Sequence, residues 1–155
     1  MNESPLNQIP SLSTLVDAAL IAELGREFAE VHRIGLRVFD AKGTVITQLS
    51  GGQSAWDSLW ESPQYRGALT QFITELKATR LKGEEVCVMH DPIAHMAFMG
   101  VSIDYEFEKM GTIILGPFHI RNDRAHLKAT LDVSVDVDAL NEHLDKLSSF
   151  DPEEL

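Results

Sequence analysis

Apolar positions in the first third of the chain follow first a helical and then an extended pattern. Apolar residues recur at helical spacing from residue 13 to residue 31, which predicts one amphipathic helix starting at Ser13 or Thr14. The residues of its apolar face are Val16, Leu20, Leu24, Phe28 and Val31. Residues 36–40 and 44–49 then predict two strands of a hairpin, because the turn Asp40–Gly43 ends in a glycine that adopts positive φ easily.

The middle of the chain predicts two helices in succession. The first is short and amphipathic, with Trp56, Leu59 and Trp60 on one side. Ser62-Pro63 predicts the start of the second, since serine is a good N-cap and proline suits the first helical position. Its apolar face comprises Tyr65, Leu69, Phe72, Ile73 and Leu76, and Lys82-Gly83 predicts its end.

The last third of the chain predicts a long hairpin followed by a helix. Residues 86–89 predict a short strand, and residues 98–105 and 110–116 predict two longer antiparallel strands with a polar tip between them. Gly116-Pro117 predicts the end of the second long strand, because proline cannot donate to a strand ladder. A terminal helix is predicted from Asp136 onward; its apolar residues are Leu140, Leu144 and Leu147.

Three segments resemble the PocR-type sensory domain, a PAS-like ligand-binding module. They are EFAEVHRIGLRVFDAKGTVIT, VCVMHDPIAHMAFMGVSID and FEKMGTIILGPFHI. The resemblance implies an α/β sensor fold of the PAS or GAF kind, with a central antiparallel sheet flanked by helices. The resemblance covers a sensory domain at 13–150. Two prolines and little periodicity predict a flexible N-terminal arm at 1–12, and the acidic residues at 151–155 predict a disordered tail. Typical members carry a cysteine between the first hairpin and the middle helix, where this chain has Trp56 and Trp60.

Composition limits the classes of binding partner and the cellular compartment that the sequence predicts. A length of 155 residues predicts one domain, and a net charge of −11 argues against binding nucleic acid, since phosphates repel an acidic surface. There is no run of eighteen apolar residues and no basic segment followed by an apolar one at the N-terminus, which predicts neither a membrane span nor a secretory signal. A single cysteine, Cys87, fits a reducing cytoplasm.

Metal, haem and catalytic chemistry have little support in the sequence. Cys87, His90 and His95 have the spacing C-x2-H-x4-H, for which His119 or Asp91 would have to supply a fourth zinc ligand. Structural zinc sites usually present paired motifs, so we predict no metal and a fold that chelators leave unchanged. His90, His95 or His119 could in principle ligate haem, but the sequence contains no haem attachment motif. No phosphate loop or hydrolase motif is present, which predicts a protein that is not an enzyme.

Bulky apolar residues and a few polar ones predict a ligand site between the late hairpin and the middle helices. The candidate ligand-binding residues are Trp56, Trp60, Tyr65, Cys87, His95, Phe98, Met99 and Ser102. The resulting hypothesis is a small-molecule sensor that signals to an output domain or partner protein. It is expected to be a homodimer formed through the first helix, the last helix or both. The alternative is a sensor fold whose pocket is filled by the tryptophans and which serves as a protein-interaction module.

Overall fold

The computed structural model describes residues 11–49, 54–78, 87–126 and 136–151. These residues form helices packed against both faces of one sheet, as the sequence predicts. The elements in chain order are α1 (Leu12–Leu15), α2 (Ala18–His32), β1 (Leu36–Asp40), β2 (Val45–Leu49), α3 (Ser54–Glu61), α4 (Pro63–Ala78), β3 (Cys87–His90), β4 (Ala97–Tyr105), β5 (Glu108–Ile120), α5 (Val137–Asp145) and β6 (Ser149–Phe150).

The strand order β2-β1-β5-β4-β3 confirms the predicted antiparallel sheet. Both predicted hairpins are present: β1 pairs with β2, and β4 pairs with β5. Gly43 has φ of 81° at the end of the first turn, as predicted from its freedom in the left-handed region. The short strand β6 adds a parallel pairing to the end of β5, at His119 and Ile120.

Strand alternation sends side chains into a core on each face of the sheet. The main core lies under α3, α4 and α5, where Phe98 and Ile114 are fully buried. The opposite face is covered by α1 and α2, against which Val38 packs. The predicted start of α4 at Pro63 is confirmed, and its buried residues are Tyr65, Leu69, Phe72 and Leu76.

The predicted first helix is interrupted, and α2 begins later than the sequence suggests. Asp17 is the N-cap of α2, since its carboxylate accepts a hydrogen bond from the Ala19 N–H at 2.9 Å. The short helix α1 starts at Leu12, whose side chain is buried, and ends before Val16, which has an extended backbone. None of the helices in the described ranges is long and apolar enough to cross a membrane.

The face that α2 turns toward the sheet also differs from the prediction. Of the predicted apolar face, Val16 and Phe28 pack against the core on this side of the sheet. Leu20, Leu24 and Val31 do not, since their exposed fractions are 50%, 59% and 77%. The buried side of the helix passes through Gly25, where an added Cβ would lie 2.8 Å from Leu49 Cδ1. Glycine permits this close approach to β2 because it has no side chain. An apolar periodicity is read from large side chains, so it does not identify a glycine as a buried position.

The last strand of the long hairpin continues beyond the predicted stop at Gly116-Pro117. β5 extends to Ile120, so the sequence-based boundary is wrong. The pairing shifts at this point, from Met99 opposite Leu115 to Ala97 opposite Phe118. Proline is tolerated where a bulge interrupts the ladder, because its missing N–H then costs no regular hydrogen bond.

The C-terminal helix packs inward on the main core. Asp136 caps α5 as predicted, through a 3.0 Å hydrogen bond from the Ala139 N–H. Leu140 and Leu144 are 1% and 2% exposed, which places them in the core and leaves them unavailable to a second copy of the chain. The predicted end of α4 at Lys82-Gly83 lies outside the described residues.

Candidate functional site

The alternation of β1 decides which side chains face α3 and α4. Leu36 and Val38 point to the α2 side and belong to the core there. Arg37 and Phe39 therefore point to the opposite side, where Phe39 joins the main core. Arg37 is thus a charged residue on the covered face of a central strand.

A cavity of about 320 Å³ lies over this part of the sheet, between the hairpin of β1 and β2 and the helices α3 and α4. Its walls combine aromatic rings, two cationic side chains and one carboxylate. The lining residues are Arg37, Phe39, Val45, Gln48, Trp56, Asp57, Trp60, Thr70, Ile73, Thr74 and Lys77.

Arg37 brings a positive charge to the cavity wall. The residue is 5% exposed, and its guanidinium carbon lies 5.4 Å from the centre of a Trp56 ring, within cation–π range. Burial lowers the pKa of Arg37, and the nearby Asp57 carboxylate opposes that effect. Arginine stays charged in proteins, so a positive charge faces the cavity.

Lys77 brings a second positive charge to the same cavity from α4. Its Nζ lies 4.7 Å from the centre of the Phe39 ring and donates a hydrogen bond to the Gly43 carbonyl at 3.2 Å. With Asp57 as the one acidic residue among those lining the cavity, the cationic side chains outnumber the anionic one. The cavity thus has the opposite sign to the chain, whose net charge is −11.

The two tryptophans of the chain both line the cavity. Their rings stack with centroids 5.9 Å apart and an interplanar angle of 22°. Trp56 is 4% exposed and meets Phe98 edge-on at 5.1 Å, whereas Trp60 is 37% exposed. The aromatic wall therefore extends from the main core to the solvent.

Comparison with protein families decides what kind of domain contains this cavity. Residues 14–155 match the family described as the sensory domain found in PocR. The chain belongs to this family. No curated protein and no solved structure gave a significant match. The resemblance seen in three sequence segments is confirmed, and a sensory role follows from it.

The sensory domain brings together only some of the residues predicted to bind ligand. Trp56 and Trp60 line the cavity. Tyr65 and Phe98 are buried in the main core, with exposed fractions of 7% and 0%. Met99 points to the opposite face of the sheet, since it follows Phe98 in the same strand.

Ser102, another predicted ligand residue, lies away from these walls. Its hydroxyl donates a hydrogen bond to Asp104 at 2.8 Å, near the hairpin tip. The described cavity therefore lies over the first hairpin, and its walls do not include the three residues of the late hairpin that the sequence predicts there.

The sensory domain separates Cys87 from the histidines of the C-x2-H-x4-H spacing. Cys87 packs against the main core, as Met89 does. A spacing of three in a strand places His90 on the other face, so one ion cannot readily take both side chains as ligands. His90 and His95 lie instead beside Asp123, and the three offer possible ligand atoms within 4.8 Å of one another.

The two suggested fourth ligands are occupied by other contacts. His119 is 1% exposed; its Nδ1 accepts from the Ala125 N–H at 2.8 Å, and its Nε2 is 2.7 Å from the Leu144 carbonyl. Burial lowers the pKa of His119. Asp91 is fully buried and accepts three backbone hydrogen bonds. Both residues therefore have structural roles.

Arg37 and Lys77 are the two cationic residues of the cavity, and the sequence analysis did not identify either as a candidate site residue. Arg37 sits in the apolar strand LRVFD, where a charged residue at a covered position is a recognisable signal. Lys77 carries no comparable signal, since lysine in the last turn of a helix is common. Its place beside Phe39 depends on how α4 crosses the sheet.

Proposed function

We propose that this sensory domain binds a small molecule with an apolar body and an anionic group in the cavity between β1 and α4. The observation that carries the proposal is the buried Arg37 in a wall of aromatic rings. Arg37 lines the cavity among these rings, so its positive charge lies within reach of a ligand held there. The guanidinium fork suits a carboxylate or phosphate, because it donates two parallel hydrogen bonds.

The size and composition of the cavity support a ligand of modest dimensions. A volume of about 320 Å³ is at the lower end of the range for small-molecule sites. Stacked indoles provide a flat apolar surface for a ring or a short alkyl chain. Lys77 adds a second positive charge at the side of Phe39. A small aromatic or aliphatic acid meets all of these conditions.

Signalling would follow from the position of the cavity between a sheet and two helices. A ligand that contacts Arg37 on β1 and Trp60 on α3 favours arrangements in which these elements stay close. A difference in affinity between two arrangements shifts their populations, and an output domain or partner protein reads that shift. No step of this scheme requires the domain to act as an enzyme.

The role of Arg37 gives a direct binding prediction. Both tryptophans line the cavity, so intrinsic fluorescence reports occupancy. We expect benzoate or hexanoate to change that fluorescence at lower concentration than benzyl alcohol or hexanol. Arg37→Met should weaken binding of the acids at least about tenfold, because a charge-assisted hydrogen bond contributes about 1.5–3 kcal/mol.

A matched variant controls for the general loss of a positive charge. Arg26→Met removes an arginine from the exposed side of α2 and should leave binding of the acids unchanged. Circular dichroism would verify that both variants are folded. Equal affinity for acids and alcohols would contradict recognition of an anion. A cavity that takes up none of the four probes would favour the interaction-module alternative.

An exposed apolar stripe on α2 supports a second part of the proposal, a protein-contact surface. Leu20, Leu24 and Val31 lie on one side of the helix, and each is at least half exposed. Apolar side chains at this spacing form the kind of patch that a partner helix covers. We propose that a second copy of the chain packs there, since symmetric homodimers are the commonest assemblies.

The dimer prediction uses charge substitutions within the stripe. Leu20→Glu combined with Leu24→Glu should convert a dimer into a monomer, because carboxylates on both facing helices repel. Light scattering coupled to size exclusion measures the mass. Phe107→Glu, at the fully exposed hairpin tip, is the control and should leave the dimer intact. A wild-type monomer at high concentration would contradict the proposal.

A further inference from the structure

Two histidines and one aspartate converge on the side of the domain away from the cavity residues. His95 Nε2 lies 2.9 Å from Asp123 Oδ1, and His90 Nε2 lies 3.4 Å from Asp123 Oδ2. The two imidazole rings stack with centroids 4.0 Å apart and nearly parallel planes. None of the three residues lines the cavity, so this cluster is independent of the proposed ligand site.

The backbone around His95 is held in place by hydrogen bonds from within the chain. Asp91 accepts from the N–H groups of Ile93, Ala94 and Met96, and its own N–H donates to the Met96 carbonyl. This frame places His95 in the left-handed region with φ of 50°, which turns its ring onto that of His90. The two rings are therefore positioned without help from a bound ion.

The segment that carries Asp123 is fastened to the same loop. The Asp123 N–H donates to the Ile120 carbonyl at 2.9 Å, and the His126 N–H donates to the Ala94 carbonyl at 2.8 Å. The His95 hydrogen bond lowers the pKa of Asp123. Residues from the end of β3, the loop before β4 and the turn after β5 thus converge on a backbone that hydrogen bonds hold in place.

We propose that His90, His95 and Asp123 form a binding site for a divalent transition-metal ion, with Zn²⁺ as the best match. Imidazole nitrogen and carboxylate oxygen are common zinc ligands, with bond lengths of about 2.0–2.2 Å. Tetrahedral coordination at such lengths separates ligand atoms by about 3.3–3.6 Å. The contacts of 2.9 and 3.4 Å are close to that spacing, and one of the two stacked imidazoles must rotate for both lone pairs to point at the ion.

The exposure of the cluster fits an ion that enters from solvent. The side chains of His90, His95 and Asp123 are 24%, 15% and 50% exposed, so one side of the site is open. Water fills the remaining coordination positions, as in zinc sites with three protein ligands. His126 lies close, with its ring 5.1 Å from that of His95. A single divalent cation interacts favourably with all three ligand atoms at once, whereas one proton joins only two of them.

Cys87 has no part in this site, which distinguishes it from the C-x2-H-x4-H pattern in the sequence. The sequence predicts no metal, and the zinc proposal departs from that prediction because the structure brings Asp123 to the two histidines. The hydrogen bonds around Asp91 hold the loop without an ion. Zinc binding adds a link between the loop before β4 and the turn after β5. Because the ion binds the folded state, it stabilises that state by mass action.

Calorimetric titration of chelator-treated protein with ZnCl2 tests the site. We expect one equivalent of zinc, and a melting temperature raised by about 5 °C or more when free zinc is a hundredfold above Kd. His90→Ala, His95→Ala and Asp123→Asn should each weaken zinc binding at least about tenfold. Loss of a residue that only supports a metal ligand already lowers metal affinity by about that factor, and these three residues are the ligands themselves. Circular dichroism verifies that the variants are folded.

Two control variants separate this site from its alternatives. Cys87→Ser and His32→Ala should bind zinc as the wild type does, and the Co²⁺-loaded protein should lack a thiolate charge-transfer band. Weakened binding in Cys87→Ser would assign the ion to the thiol and overturn the proposal. Absence of binding in the wild type, or binding unaffected by both His95→Ala and Asp123→Asn, would also overturn it. None of these results bears on the cavity around Arg37.

Discussion

Replacing Asp91 with alanine is expected to lower the free energy of unfolding by about 3 kcal/mol or more. Asp91 is fully buried, and its carboxylate accepts hydrogen bonds from the N–H groups of Ile93, Ala94 and Met96. Alanine would leave these three donors without their acceptor, and each unsatisfied buried group costs about 1–3 kcal/mol. Domains of this size have about 5–15 kcal/mol of stability, so the loss is a large fraction of the total.

Urea denaturation followed by circular dichroism measures this effect, and Asp136→Ala is its matched control. Asp136 also accepts a backbone N–H, that of Ala139, but it lies at the exposed start of α5. Loss of such a cap typically costs about 1 kcal/mol. Equal destabilisation by the two substitutions would show that burial of the Asp91 hydrogen bonds contributes little.

Replacing Phe98 with alanine is expected to cost about 3–5 kcal/mol, the usual range for a buried phenylalanine. Phe98 is fully buried and meets Trp56 at 5.1 Å and Phe72 at 5.3 Å, both in edge-to-face geometry. Its removal leaves a void beneath the inner wall of the cavity. We therefore also expect altered tryptophan fluorescence in the folded variant, since Trp56 loses the ring that positions it.

The control for this prediction is the same substitution at an exposed site. Phe107 lies at the tip between β4 and β5 and is fully exposed. Phe107→Ala should change the free energy of unfolding by no more than about 0.5 kcal/mol, as surface substitutions usually do. A Phe98→Ala protein as stable as Phe107→Ala would contradict the assignment of Phe98 to the core.

The parts of the fold that local chemistry determines were predictable from the sequence. The turn at Asp40–Gly43, the helix start at Pro63 and the cap at Asp136 each depend on residues within a few positions of one another. Local hydrogen bonds and backbone preferences dominate there, so the sequence pattern and the structure agree.

The orientation of α2 was not predictable in the same way. Its exposed Leu24 is more hydrophobic than its buried Gly25, yet the sheet lies on the glycine side. Close packing of Gly25 against Leu49 determines which side of α2 faces the sheet. That contact joins a helix to a strand, so a pattern within the helix alone does not reveal it. The continuation of β5 past Pro117 likewise depends on a bulge opposite β4.

The candidate site was predictable only in its aromatic part. Trp56 and Trp60 are conspicuous in the sequence, and both line the cavity. The sequence associates them with the late hairpin, whereas the fold places them over β1 and beside Arg37. Which strand lies under α3 is set by the strand order, and short-range patterns do not determine strand order.

The position of β1 between β2 and β5 has a consequence for how the chain folds during synthesis. The hairpin of β1 and β2 is local, but Leu36 pairs with Leu115 on β5. Until the ribosome has made β5, one edge of β1 has no strand beside it, and the apolar side chains of the hairpin have only part of their core. The sheet therefore closes late in translation, and a high share of such distant pairings is characteristic of slow folding.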